Sequence, residues 1–211
     1  MPFDFLKKGK PATPPTPASA APGATPANQI PMVTKQGVAF DGLTEEWRLI
    51  GAIQLDGRLS DILNRRESIP IDDVHWAPID GSEPFTPAPG LKAIDPYDLI
   101  VVLAGETTLP VMSEDEKAAH RVHKISYDVS LEVPPFRVVG TVYLFPGSDP
   151  DRLLDRATEM FVPVTEATAY LGDQRIAGTE VDTFLVNRRY LRRIEQIDRR
   201  TGEPHQRIPG S

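Results

Sequence analysis

Residues 47–64 carry the pattern on which the predicted fold depends: Trp-Arg-Leu-Ile-Gly-Ala-Ile-Gln-Leu-Asp-Gly-Arg-Leu-Ser-Asp-Ile-Leu-Asn. The run from Leu49 to Ile53 is almost entirely apolar, which is typical of a strand covered on both faces for part of its length. Asp56-Gly57 marks a turn. Three apolar residues then share one face of a short helix and are expected to cover the sheet: Leu59, Ile62 and Leu63.

A second copy of this pattern begins at Phe136. When Gly51 is set on Gly140, Trp47 falls on Phe136. After short insertions, Ile69-Pro70-Ile71 matches Val162-Pro163-Val164. In both copies the proline removes one backbone donor, so it restricts that strand to an edge or begins it. The order of strand, turn, short helix and strand therefore occurs twice, which indicates an internal duplication.

The predicted fold is a β-rich α+β protein. Two tandem β-β-α-β-β repeats are expected to form small sheets or open barrels that pack with pseudo-twofold symmetry. The strand at 99–103 is matched with 184–186, and Trp47 and Phe136 are predicted to occupy equivalent, mostly buried sites. The predicted boundaries are a docking tip at 1–10, a disordered linker rich in Pro, Ala and Thr at 11–32, repeat 1 at 33–110, a connecting segment at 111–121, repeat 2 at 122–197 and a disordered tail at 198–211.

Composition limits the classes of function. The chain has 211 residues, a net charge of −7 and no cysteine. An acidic chain is a poor match for nucleic-acid binding by bulk electrostatics. The absence of cysteine excludes disulfides, thiolate catalysis and cysteine-ligated zinc. No apolar run is long enough for a membrane span or a classical signal peptide, so we expect a cytoplasmic protein, with a peripheral position at the membrane as the alternative.

The first ten residues combine apolar and basic side chains, and a proline-rich segment follows them. Such a segment behaves as a semi-stiff spacer that holds the tip away from the body. The tip is therefore predicted to contact a protein partner or an anionic membrane surface. A frayed terminus without a role is the alternative. The predicted contact residues are Phe3, Phe5, Leu6, Lys7 and Lys8.

Arginines cluster near the end of the chain and contrast with its acidic composition. Four of them are candidate contacts for RNA or another anion: Arg188, Arg189, Arg192 and Arg193. Guanidinium groups bind phosphates and carboxylates well, so RNA and an acidic protein surface both fit. Solvated strand ends would explain the same residues without a ligand.

The sequence contains no nucleophile elbow, glycine-rich phosphate loop or metalloprotease helix. Carboxylates are available at Asp61, Asp72, Asp73 and Asp95, but no arrangement of them with His75 can be inferred from their spacing. His120 and His123 could ligate a metal ion on a helix, but two histidines without a third ligand are a weak signal for zinc. We therefore predict no catalytic residues, no metal and no cofactor.

The box Arg58-x-Ser60-Asp61-x-Leu63-Asn64 and the late pair from Val186-Asn187 to Ile194 resemble a small bacterial domain family of uncharacterised function. The first copy alone has the complete box, and the second alone has the complete late pair. The resemblance implies no activity. The strand order is also similar to that of Sm-like small barrels, at the level of fold only. The box itself is predicted to be structural, with Ser60 or Asp61 capping the short helix.

These observations favour a non-catalytic adaptor or scaffold that binds a protein or a membrane surface through its tethered tip. An RNA-binding module that uses the arginine-rich final strand is the alternative. A tip with three apolar residues would bind weakly as a single copy, so homo-oligomerisation would strengthen its binding.

Overall fold

The computed structural model describes residues 37–105, 124–155, 159–177 and 183–204. Strands dominate these residues. The first half contains β1 (Val38–Leu43), β2 (Trp47–Ile53), α1 (Leu59–Asn64), β3 (Ile69–Pro70), β4 (Asp72–Pro78), β5 (Thr86–Pro87), β6 (Ala93–Ile94) and β7 (Val101–Ala104). The second half contains β8 (Ile125–Val133), β9 (Phe136–Leu144), β10 (Phe161–Leu171), β11 (Gln174–Ala177), β12 (Thr183–Asn187) and β13 (Arg193–Gln196). Pro96–Asp98 and Pro150–Leu154 form short 3-10 helices.

Eleven strands form one open antiparallel sheet. Its order is β13-β8-β9-β10-β12-β7-β1-β2-β4-β5, with β11 added beside β10. Strands β3 and β6 form a separate two-stranded sheet. The protein is therefore β-rich, as predicted, but no closed barrel forms in the described ranges and the two halves share one sheet. The pairing of β7 with β12 joins those halves.

The apolar pattern of the sequence accounts for two buried clusters. One gathers around the second half and includes Phe136 and Phe184. The other lies under α1 and contains Phe40 and Phe161. Helix α1 contributes the three predicted apolar residues to that second cluster, all of them buried: Leu59, Ile62 and Leu63.

Two glycines allow close contacts between neighbouring strands. A Cβ atom on Gly51 would lie 2.7 Å from Ile71 Cδ1 and 2.8 Å from the Asp72 carbonyl oxygen. A Cβ atom on Gly140 would lie 2.7 Å from Val164 Cγ1 and 2.8 Å from the Thr165 carbonyl oxygen. A side chain at either position would need the adjacent strand to move, which explains why the smallest residue lies within each strand.

A bulge follows each of these close contacts. The register shifts between Ile50 and Ala52 where β2 pairs with β4, and β10 shifts where it pairs with β9. Asp73 and Glu166 have positive φ values of 52° and 48° at these two shifts. A non-glycine residue rarely adopts this conformation, so the same uncommon backbone feature occurs in both halves.

The structure corrects three expectations. Trp47 is 36% exposed, whereas Phe136 is only 2% exposed. Phe136 pairs with both β8 and β10, but the pairing of β2 with β1 ends at Arg48, so Trp47 pairs only with Pro78 of β4. Neither Ser60 nor Asp61 caps α1, since Arg58 occupies the N-cap position and no side chain caps the helix. Residues 198–204, predicted to be disordered, form a turn in which Ile197 bridges Pro204.

Candidate binding surfaces

Trp47 and Trp76 form an exposed aromatic surface, which we call the tryptophan patch. Their ring centroids lie 5.1 Å apart and their planes differ by 25°. Trp47 is 36% exposed and Trp76 is 39% exposed. The chain contains no other tryptophan. Because tryptophan is over-represented among residues that dominate binding energy in protein interfaces, a stacked and exposed pair is a candidate contact for another protein.

Local structure holds the backbone at both tryptophans. The Trp47 backbone N–H donates to Thr44 Oγ1 at 3.0 Å, and the Thr44 N–H donates to the Trp47 carbonyl at 2.8 Å. Trp76 lies opposite Leu49 on one side and Thr86 on the other, so strands flank it on both sides. The patch is therefore held in place by the sheet, which lowers the entropy lost when a partner binds.

An open groove of about 540 Å³ lies on β2 and β4 where they approach β11. Arg48 lines it and pairs with Asp41 through two hydrogen bonds, of 3.0 Å from Nε and 2.6 Å from the terminal nitrogen. Arg175 and Ile176 line the opposite side. The groove is lined by residues of both halves and is mixed in polarity.

Arg188 has a structural role that removes its guanidinium from the predicted anion contact. The side chain is buried and donates to the backbone carbonyls of Leu153, Arg152, Glu159 and Asp155. Burial lowers the pKa of this guanidinium, because a charged group loses hydration there. Its donors are directed at the main chain rather than at solvent.

The other three candidate arginines are exposed and are held differently from one another. The Arg189 guanidinium lies over the Tyr97 ring at 4.8 Å. Arg193 contacts Glu195 Oε1 at 2.5 Å. Arg192 is exposed beside them. The three therefore do not form one uniform basic surface, although each guanidinium remains accessible. The predicted tip residues Phe3, Phe5, Leu6, Lys7 and Lys8 lie outside the described residues, as do His120 and His123.

Two asparagines connect the halves of the protein. Asn64, the last residue of α1, donates from Nδ2 to the Phe161 carbonyl at 3.2 Å and accepts from the Phe161 N–H at 2.8 Å. Asn187 donates from Nδ2 to the carbonyls of Leu99, at 2.7 Å, and Pro96, at 3.3 Å. The motifs contained both asparagines, but their partners are about ninety residues away and could not be predicted from local spacing.

The described ranges contain no group of three His, Asp or Glu side chains that could hold a metal ion. His75 Nδ1 contacts the backbone carbonyl of Asp73 at 3.1 Å. No helix in the described ranges is long and apolar enough to cross a membrane. Comparison of the chain with protein-family models, curated proteins and solved structures gives no match.

Proposed function

We propose that this protein is a non-catalytic adaptor or scaffold that binds a protein partner, with a tandem-repeat body and a tethered N-terminal tip. The observation that carries the proposal is the tryptophan patch, because Trp47 and Trp76 are stacked, exposed and fixed by the sheet. The patch supplies a rigid apolar contact, and the tip supplies a second one at the end of a spacer. Linking two weak contacts raises the total affinity without any new contact type.

The duplication is supported by the registers of the strand pairs. Each half contains a three-stranded meander: β1-β2-β4 in the first and β8-β9-β10 in the second. The pairs on either side of the bulge correspond one to one. They are Ala52 with Asp72, Ile50 with His75 and Leu49 with Trp76 in the first half, and Thr141 with Thr165, Val139 with Thr168 and Val138 with Ala169 in the second.

The later strands extend this correspondence and change one match made from the sequence. Asp95 Oδ1 accepts from the Tyr97 N–H at 2.9 Å, and Asn187 Oδ1 accepts from the Arg189 N–H at 3.0 Å. The strand after the first turn is β7, and the strand after the second is β13. This makes β13 the counterpart of β7, and β6 the counterpart of β12. The match of 99–103 with 184–186 is not part of this arrangement.

Hydrogen bonds to the first strand of each half agree with that assignment. The Ile100 N–H donates to the Leu43 carbonyl at 2.8 Å, and the Arg192 N–H donates to the Glu132 carbonyl at 2.8 Å. We therefore propose that the copies are joined head to tail, with β7 of the first paired to β12 of the second, in place of the twofold arrangement expected from the sequence.

The motif residues support a scaffold because their polar groups connect backbone segments. Asn64, Asn187 and Arg188 all bind main-chain carbonyls between distant parts of the chain. Buried polar groups that are satisfied in this way favour one arrangement of the body. A defined body can hold the tip and the patch in a fixed relationship.

The N-terminal tip is proposed as the second contact from its sequence. Its residues Phe3, Phe5 and Leu6 supply apolar contacts, and Lys7 and Lys8 supply charge. An anionic membrane surface is the other target that this composition fits. RNA binding through Arg189, Arg192 and Arg193 is the alternative function, now without Arg188 because its guanidinium is buried.

The experiment compares three immobilised proteins: the full chain, residues 11–211, and the full chain with Trp47→Ala and Trp76→Ala. Proteins retained from a cell extract are identified, and each is then purified and titrated against the three forms. We expect one purified protein to bind the full chain directly and to bind both altered forms at least about tenfold more weakly.

Two controls separate the other targets. Vesicles with and without phosphatidylserine test the membrane, and a polyuridine RNA tests the alternative function. If the protein retains RNA, the retention falls steeply as salt rises, and no protein binds directly, the protein is an RNA-binding module and not an adaptor. If the protein binds anionic vesicles through its tip and binds no protein directly, the target of the tip is a membrane surface and not a protein partner.

A further inference from the structure

The interface between the halves is a strand pairing with two different sides. Strand β7 contributes one side and β12 the other, with Val102 opposite Leu185 and Val101 opposite Val186. The Asn187 N–H also donates to the Ile100 carbonyl at 2.9 Å. If each repeat carries both kinds of strand edge, one pairing between two repeats uses one edge of each kind and leaves the other edge of each kind unpaired.

The unused sides follow from the strand equivalence proposed above, on which this inference rests. The counterpart of β7 is β13, which ends the large sheet in the described ranges. The counterpart of β12 is β6, which has β3 as its partner in the small sheet. Each therefore presents a second edge without a strand partner among the described residues. An open strand edge offers backbone donors and acceptors to another strand.

The register of β7 with β12 can be transferred to these edges. It places Arg193 opposite Ile94, Ile194 opposite Ala93, and Glu195 opposite Lys92 of a second molecule. One position further, Arg192 would lie opposite Asp95, as Ile100 lies opposite Asn187 in the internal interface.

The charges on the two edges are complementary in this register. Lys92 and Asp95 are exposed on the β6 side, and Arg192 is exposed on the β13 side with Glu195 partly so. Directly opposite residues in an antiparallel pair interact, and opposite charges there stabilise the pairing. In the internal interface the positions that correspond to Glu195 and Lys92 are held by the apolar residues Leu103 and Phe184, so at the unused edges a pair of opposite charges takes the place of that apolar pair.

We propose that β13 of one molecule pairs antiparallel with β6 of a second copy of this chain, giving head-to-tail oligomers. An oligomer of this kind has an unpaired β13 at one end and an unpaired β6 at the other. Further molecules can therefore add at both ends unless the geometry closes the oligomer into a ring. Such an oligomer would multiply the number of tips and tryptophan patches, which strengthens binding to a multivalent partner.

Two charge reversals test the pairing in the full chain. Lys92→Glu places a carboxylate opposite Glu195 of the next molecule, and Glu195→Lys places an ammonium opposite Lys92. Each variant alone is expected to self-associate at least about tenfold more weakly than the unaltered chain. A mixture of the two should associate again, because every β13–β6 contact between unlike variants then joins opposite charges.

Sedimentation velocity over a concentration series measures the association. The unaltered chain should grow in mass with concentration, and the equimolar mixture should follow it. Asp173→Lys, in the exposed turn between β10 and β11, controls for an acid-to-lysine change away from both edges and should leave association unchanged. Thermal unfolding of every variant excludes loss of fold as the cause.

A monomer at all concentrations, or single variants that associate like the unaltered chain, would overturn the proposal. A chain ending at Pro204 adds a further arm, since Pro204 bridges Ile197 just beyond β13. If this shortened chain associates and the full chain does not, the β13 edge of the full chain is occupied by residues 205–211 and not by a second molecule. The mixing experiment tests only the pairing of β13 with β6. If it fails, the proposed adaptor function is still tested independently by the titration with a protein partner.

Discussion

Asn64 and Phe161 are joined by two hydrogen bonds between a side-chain amide and a backbone. The Asn64 Oδ1 atom accepts from the Phe161 N–H at 2.8 Å, and its Nδ2 atom donates to the Phe161 carbonyl at 3.2 Å. The amide thus pairs with the first residue of β10 as a neighbouring strand would. This contact attaches α1 of the first half to the sheet of the second.

We expect Asn64→Ala to lower the free energy of unfolding by about 2 kcal/mol, because both backbone groups of Phe161 lose a partner in a partly buried site. Ser60→Ala, on the same helix, is the control. It should change stability by less than about 0.5 kcal/mol, since Ser60 does not cap the helix. Urea denaturation measures both. A larger loss for Ser60 than for Asn64 would contradict this assignment.

Arg188→Met should destabilise the protein by about 3 kcal/mol, because it leaves the carbonyls of Leu153, Arg152, Glu159 and Asp155 without this donor. Arg189→Met is the matched control, since its guanidinium is exposed over Tyr97. It should cost less than about 1 kcal/mol. Chemical denaturation of both variants checks the prediction, and equal losses would show that Arg188 is not a structural connector.

The tryptophan patch leads to a prediction about stability as well as binding. Trp76→Ala should cost less than Phe136→Ala, for which about 3 to 5 kcal/mol is expected, because Phe136 is buried and Trp76 is 39% exposed. Denaturant titration followed by far-UV circular dichroism measures both, since it does not depend on the removed fluorophore. Equal losses would show that the ring of Trp76 is part of the core.

Tyr190 gives a prediction about alkaline pH. Its hydroxyl donates to the Tyr97 carbonyl at 3.0 Å, and burial raises the pKa of the phenol, with nearby Asp98 acting in the same direction. A raised folded-state pKa stabilises the protein below the unfolded pKa of about 10, and this stabilisation is lost as pH rises through the folded value. Tyr190→Phe should therefore reduce the decline in stability between about pH 9 and about pH 11. Urea midpoints measured across that interval check it, and an unchanged slope would contradict it.

The sequence predicted the features that depend on local pattern. The buried face of α1 at Leu59, Ile62 and Leu63 follows from helical spacing, and the strand character of β2 and β9 follows from apolar runs. The prediction for Trp47 was wrong because its matched partner Phe136 is paired on both sides by β8 and β10, whereas Trp47 lies at the end of β2 and pairs only with Pro78 of β4. Similar residues at matched positions do not ensure similar burial.

The candidate sites were harder to predict because they depend on distant contacts. Trp76 follows Trp47 by 29 positions, a separation that does not place two residues side by side within one helix or strand. The rings meet because β2 pairs with β4. The arginine cluster was visible in the sequence. The burial of Arg188 was not, because its partners lie 29 to 36 residues before it.

The central structural claim, that both halves have one strand arrangement, is tested most directly at the matched glycines. Gly51→Ala and Gly140→Ala place a methyl group against Ile71 and Val164 at the same distance, 2.7 Å in each case. Gly57→Ala is the control, because nothing lies within 4 Å of its added Cβ. The measurement is the free energy of unfolding in urea.

We predict that Gly51→Ala and Gly140→Ala each lose about 1 to 3 kcal/mol, because the neighbouring strand must move in both halves. Gly57→Ala should stay within about 0.5 kcal/mol of the unaltered chain. A loss at only one of the two matched glycines, or no loss beyond that of the control at either, would contradict the shared strand arrangement.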